Sequence, residues 1–273
     1  MGIVALSTTL GSLGDEIGRK VAHALGCEFA DREIIAKAAE RYGESLLDLA
    51  HVTEEKPTLW ERIAHTQRRY LTAVEAIVLE LAESGHAVLS GRGATLLLAK
   101  LPQVLRVRIT APEHVRAQRI QQQQGLTLEA AAQFVADTDR ERAARIRFLY
   151  QADWSDPLLY DLLINTERLS VERGAGLILN VLDDRRFQSG PEDRQTVTDL
   201  RIVAGAKEAL LRNPETQACK LFTASKAGHV ILTGMVDRDD QRRAAEQTVA
   251  AVPGVTGVLN DIAVVGKIRR PAF

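Results

Sequence analysis

Aromatic residues are scarce in this chain, at 4% of 273 positions, and no basic stripe is interleaved with them. Nothing therefore supports nucleic-acid readout, which stacks bases on aromatics set among cations. Cysteine is nearly absent. Cys27 and Cys219 stand far apart with no histidine pair nearby, which excludes zinc-site spacing and a disulfide framework. No run approaches the ~20 apolar residues of a membrane helix. The start, MGIVALSTTLG, lacks the basic flank and the length of a secretory segment. A cytoplasmic protein without a transmembrane segment is the expectation. Charge of one sign is lacking too. A formal net charge of -1 exerts no global pull on nucleic acid or anionic membrane. The histidines stand in no context that suggests a Ser-His-Asp or Cys-His arrangement.

What is present is an alternation of strand and helix patterns. Gly2 to Ser7 reads as a buried strand running into a glycine turn. Ile17, Val21, Ala24 and Leu25 recur at helical spacing, and Gly26 stops that helix. Cys27 to Ala30 reads as a short strand, Glu33 to Ser84 as helical with a break at Lys56-Pro57, and His86 to Ser90 as a buried strand. Val104 to Ile109 alternates as a strand. Pro112 then suits a helix start, and a further helix spans Thr127 to Leu149. Leu162 to Asn165 and Val171 to Leu182 close the series as strand and helix. Such alternation predicts an α/β fold with a parallel sheet covered by helices.

Arg185 to Gln195 is polar and carries Gly190-Pro191, the best linker in the chain. Beyond it the pattern reads helix (Val197 to Leu211), hairpin (Lys220 to Ser225, His229 to Val236), helix (Asp239 to Val252) and strand (Val255 to Val265). The order αββαβ predicts a small α+β unit. The expected division is a domain at 1–185, a linker at 186–195 and a second domain at 196–266.

The first strand, its turn and the next helix have the arrangement of an anion site, where backbone N–H groups and the helix dipole converge. The loop runs Ser7-Thr8-Thr9-Leu10-Gly11-Ser12-Leu13-Gly14. The full phosphate-loop signature requires Lys and Ser/Thr after its last glycine. Asp15 and Glu16 stand there instead. Asp15 also has the chemistry of a helix cap.

A wider pattern surrounds this loop. Ser7, Gly11-Ser12, Gly14 and Glu16-Ile17-Gly18 are followed by Leu25-Gly26 and Asp31-Arg32-Glu33-Ile34-Ile35. Gly91-Arg92-Gly93, Val107-Arg108-Ile109, Ala111-Pro112, Asp139, Arg142-Ala143, Asp153-Trp154, Asp156-Pro157 and Tyr160 to Thr166 come next. In order and spacing this resembles the cytidylate-kinase-like family over residues 2 to 183. The resemblance implies a P-loop fold of the nucleoside-monophosphate-kinase kind. Glu16 fits the family pattern, whereas Leu13 replaces a glycine and Asp15 a basic residue.

The resemblance implies transfer of the γ-phosphoryl group of ATP, with Mg²⁺, onto a nucleoside monophosphate, cytidine monophosphate being the first choice. Thr8, Gly11, Ser12, Gly14 and Asp15 would bind the nucleotide phosphates. Asp31 and Arg92 would bind the substrate, and Arg142 and Arg145 would neutralise charge on the transferred group. Arg116 and Arg119 lie where they would reach base or phosphates. The residues also allow a plainer reading, in which Arg140, Arg142, Arg145 and Arg147 form a solvated helix face paired with Asp137, Asp139 and Glu141. Trp154, Tyr160 and Asp161 read as packing and turn residues. An alternative to the kinase is a degenerate kinase fold that binds a nucleotide or another anion without chemistry.

Residues 194 to 265 resemble a BON domain. The resemblance rests on Leu210-Leu211, Gly228 to Gly234 and Val252 to Asn260. It implies an interaction or ligand-sensing module with a small-molecule, phospholipid or protein partner. The tail Lys267 to Arg270 has the charge to touch an anionic surface.

Overall fold

The computed structural model describes residues 2–31 and 60–266, with backbone alone for 60–68. Arg32 to Ile35, the break at Lys56-Pro57 and the tail Lys267 to Arg270 lie outside the described residues. Two compact units divide the chain. One comprises Met1–Thr58 and Ser84–Gly190, the other Leu59–Glu83 and Pro191–Phe273.

The first unit follows the expected alternation. Its described elements are β1 (Ile3–Thr8), α1 (Gly14–Leu25), β2 (Phe29–Ala30), β3 (Ala87–Ser90), a single turn from Ala94 to Leu97, and β4 (Val104–Thr110). The long helices Glu113–Gln124 and Leu128–Tyr150 follow, then strand Leu162–Asn165 and helix Val171–Leu182. Numbering every described helix in chain order makes α2 the second unit's Trp60–Glu83 and α3 the turn Ala94–Leu97. The four elements after β4 are then α4 (Glu113–Gln124), α5 (Leu128–Tyr150), β5 (Leu162–Asn165) and α6 (Val171–Leu182).

The five strands are ordered β2-β3-β1-β4-β5 and every pairing is parallel. Strands buried on both faces need no polar alternation, which is why β1 and β3 read as continuous apolar runs. Val4, Leu6, Val88, Leu105, Val107 and Ile109 pack with Ile17 and Val21 of α1 and Ala175 and Ile178 of α6. Ala22, not Ala24, completes the buried stripe of α1. β1 lies between β3 and β4, so the chain order reverses at its carboxyl end. Open parallel sheets bind ligands at such a switch point, and the glycine loop occupies it.

The second unit contains α2 (Trp60–Glu83), α7 (Pro191–Arg212), β6 (Lys220–Lys226), β7 (His229–Val236), α8 (Asp239–Ala250) and β8 (Gly257–Val264). From α7 onward the order is αββαβ. β6 and β7 pair antiparallel, whereas β7 and β8 pair parallel, giving a three-stranded mixed sheet. Ile202, Ala206 and Leu210 of α7 pack on Val230, Leu232 and Ile262 of the sheet and on Ala245 and Val249 of α8. α7 begins at Pro191, where proline's fixed φ and missing N–H suit a first helical turn. α2 lies within the stretch expected to form the N-terminal domain, yet it clusters with this unit. It packs along α7, with Glu83 paired to Arg201 at 2.7 Å and Glu75 to Lys207 at 3.4 Å. No described helix is long and apolar enough to cross a membrane.

Candidate functional site

The loop between β1 and α1 makes two sharp departures. Gly11 has φ 76, and a Cβ there would lie 2.8 Å from the Arg116 carbonyl, so glycine allows α4 to close on the loop. Leu13 has φ 61, a left-handed conformation that a branched side chain adopts at a cost of roughly 1–2 kcal/mol. α1 starts immediately afterwards with no side-chain cap. The expectation that Asp15 caps the helix is therefore corrected. Asp15 and Glu16 sit exposed in the first turn, where they complement the helix dipole. Gly14 is buried, and a Cβ on it would lie 2.4 Å from the Thr8 methyl.

The loop carbonyls are held from outside. Arg142 donates to the Thr8 carbonyl at 2.8 Å, Arg116 to Leu10 at 3.4 Å and Arg119 to Gly11 at 3.1 Å. The Thr166 hydroxyl donates to Ser12 at 2.9 Å. C=O and the following N–H of one trans peptide point in opposite directions. Holding the Leu10 and Ser12 carbonyls outward thus turns the Gly11 and Leu13 N–H groups the other way. The first N–H groups of α1 add to them, since a helix start leaves them without intrahelical partners. The Ser12 hydroxyl is buried and has no hydrogen-bond partner among the described residues.

Beside the loop stand Arg92, Arg142 and Arg145. Burial depresses the pKa of Arg142, and the positive charges of Arg145 and Arg92 act in the same direction. Asp139 and Asp15 oppose them. None of the three arginines forms an ion pair among the described residues, and the buried Nε of Arg145 has no acceptor. Arg92 sits in a left-handed turn (φ 54) between Gly91 (φ 74) and Gly93 (φ 73). Asp31 lies across from this turn, its Oδ1 3.8 Å from where a Gly91 Cβ would be. The structure thus brings Thr8, Gly11, Ser12, Gly14, Asp15, Arg142, Arg145 and Arg92 to the carboxyl ends of β1 and β3, with Asp31 beyond β2.

Other expected roles change. Arg116 and Arg119 brace the loop, donating to the Leu10 and Gly11 carbonyls. Arg116, 6% exposed, also donates to the Ala111 carbonyl at 2.8 Å and pairs with Asp139 at 2.7 Å. Arg119 grips the Thr166 hydroxyl and carbonyl at 3.0 and 2.7 Å. The solvated-pair reading holds for Arg140, which meets Asp137 at the surface. Beside Arg92, Gly93 leaves room for the Tyr150 ring, which a Cβ would approach to 2.4 Å.

Sequence reasoning missed Tyr150 and Arg108. Arg108 is buried, donates to the Ser7 hydroxyl at 3.2 Å and stacks on Trp154 with its guanidinium carbon 4.4 Å from the ring centroid. Its signal was the alternation in β4, which sets Arg106 and Arg108 on one sheet face. Trp154 and Tyr160 are packing residues, as expected: both rings lie against Arg108.

A parallel sheet with a glycine loop at its switch point, feeding directly into a helix, defines a P-loop kinase-like fold. The model of the cytidylate kinase-like family matches residues 3–168, and the chain belongs to that family. A BON domain model matches residues 198–266. Cytidylate kinase of Methanopyrus kandleri is 26% identical over 190 residues, covering 66% of this chain and 93% of that protein. Cytidylate kinase of Ignicoccus hospitalis is 29% identical over 173 residues, covering 63% and 94%. Among solved structures, an uncharacterised protein from Eubacterium ventriosum superposes with a TM-score of 0.54 at 17% identity, covering 68% of this chain and 100% of its own.

Proposed function

We propose that the N-terminal unit is an ATP-dependent nucleoside monophosphate kinase acting on a cytidine-monophosphate-like acceptor in the cytoplasm. The observation that carries this reading is the cluster of Arg92, Arg142 and Arg145. Half-buried arginines that form no ion pair among the described residues are expensive to desolvate, and phosphate oxygens would supply the missing charge. Phosphoryl transfer requires positioning and positive charge more than covalent chemistry. Arg142 sits at the donor loop. Arg92 sits one strand away beside Asp31, at the acceptor side. Arg145, one turn further along α5, lies with them in one electrostatic cluster.

Magnesium is implied by the family, and the residues fit it in a limited way. Among the described residues no group of three His, Cys, Asp or Glu is gathered. Mg²⁺ in nucleotide sites commonly takes one or two carboxylates besides waters and phosphates, and Asp15 at the head of α1 is a carboxylate suited to that. When bound, the ion would neutralise phosphate charge and offset the repulsion of Asp15.

Purified protein assayed with ATP, Mg²⁺ and each nucleoside monophosphate tests this reading. Turnover that falls at least about a hundredfold in Arg92→Ala supports it. Turnover equal in the two proteins would overturn it. Asp15 and Leu13 favour a second reading, a degenerate kinase fold that binds nucleotide as a sensor. Calorimetry showing tight ATP binding without ADP release would select it. The BON domain is read as the interaction or ligand module in either case, its ligand a small molecule, phospholipid or protein.

A further inference from the structure

The two halves of α5 are held differently. Near its start Ala131 and Val135 pack with Ile120 of α4 in a small apolar cluster that includes Leu10 and Leu126. Beyond Val135, three polar contacts join the helix to the site, beside the packing of the Tyr150 ring over Gly93. Asp139 pairs with Arg116, Arg142 donates to the Thr8 carbonyl, and the Tyr150 hydroxyl donates to the Arg92 carbonyl at 2.6 Å. Each partner belongs to the loop, to its brace or to the Gly91–Gly93 turn. Asp139 and Arg142 are three residues apart, so they share a helix face.

We propose that Asp139 is a positioning residue that latches α5 to the phosphate loop through Arg116 and so sets Arg142 where the loop has no lysine of its own. The proposal rests on the kinase reading of the site. Arg116 is the common member: one guanidinium donates to Ala111 and Leu10 and pairs with Asp139. Holding Asp139 thereby fixes the height of Arg142 against Thr8. The cation is delivered from a separate helix, and the site is complete only when that helix is docked.

Asp139 has two opposed effects on a bound phosphate, and they give the proposal a test by sign. Its negative charge lies near Arg142, so as a mere neighbour it repels phosphate, and Asp139→Asn would tighten binding. As a latch it supports Arg142, and the same substitution loosens binding. The experiment measures the affinity of the full chain for ATP and for inorganic tripolyphosphate by calorimetry, with amide exchange read over Thr8–Gly14 and Asp139–Tyr150. The expected result for Asp139→Asn is affinity weakened at least about fivefold, with faster exchange in both segments. Asp139→Glu, which keeps the charge, should recover part of the affinity. Equal or tighter binding by Asp139→Asn overturns the proposal. If the unaltered protein binds neither ligand, the kinase reading fails, and the exchange result still decides the latch. Unchanged exchange in folded Asp139→Asn would then remove it.

Discussion

The Tyr150 hydroxyl donates to the Arg92 carbonyl at 2.6 Å, and the tyrosine ring lies where a Gly93 side chain would be. One residue at the end of α5 thus closes over the turn that presents Arg92. Gly93→Ala meets both a left-handed φ and the ring. It should destabilise the first unit by about 2–4 kcal/mol. Tyr150→Phe keeps the ring, removes the hydroxyl that donates to Arg92 and should lose about 1 kcal/mol. Exchange of the β1 and β3 amides in the full chain measures both. A Gly93→Ala protein as stable as Tyr150→Phe would contradict the packing described.

Asp15 stands at the head of α1, close enough to Arg142 to act on its charge. Without magnesium, Asp15→Asn should bind tripolyphosphate a few-fold more tightly, because a like charge is removed. The gain should fade in high salt, since the group is exposed. Calorimetry at two ionic strengths reads both effects, and weaker binding at low salt would exclude repulsion as the role of Asp15.

Arg106 and Asp161 clamp β4 to the segment entering β5. The carboxylate accepts from the Arg106 backbone N–H at 2.9 Å and from its guanidinium at 3.0 and 2.7 Å. Burial pushes the Asp161 pKa up, but the hydrogen bonds from Arg106 outweigh it and hold the group below its ordinary 3.8. A depressed carboxyl stabilises the fold above the unfolded-state value, and that contribution is lost as pH falls through the folded-state value. Asp161→Asn should therefore lose about 1–2 kcal/mol at neutral pH, allowing for solvent screening. The deficit should shrink as pH falls below 3.8. Denaturant unfolding across that range checks the sign.

In the second unit, Asp199 of α7 accepts from the Ser225 hydroxyl at 2.6 Å and from the N–H groups of Ala227 and Gly228 at 2.9 and 3.0 Å. Ala227 and Gly228, both at positive φ, form the tight turn of the β6–β7 hairpin. Asp199→Ala should weaken that hairpin by about 2 kcal/mol. Amide exchange should rise in β6 and β7 and stay constant in β1 and β4. A uniform rise across both sheets would count against a local role.

The strand at Leu162–Asn165 and the helix at Val171–Leu182 were legible because each carries a clean period and a clear stop. The loop was legible because its glycines and small residues interrupt an apolar strand. The braces were not. Arg116 meets Asp139 across 23 positions, and Arg119 meets Thr166 across 47. A guanidinium on a helix looks the same in sequence whether it faces water, a nucleotide or a carbonyl. The pairing of α2 with α7 was hidden for the same reason, since Glu75 and Lys207 are 132 residues apart.

The sequence by itself determined the local chemistry: the period of each element, the glycine turn after β1, the acidic head of α1, the order αββαβ and the family resemblance. These depend on neighbours within a few residues, where propensity and steric limits act. Tertiary structure alone decided which carbonyls and carboxylates each arginine meets. That assignment depends on burial and on carbonyl direction, and both arise only when distant segments close on one another. The missing lysine was visible in the sequence; the guanidinium of Arg142 beside Thr8 became visible only in the fold.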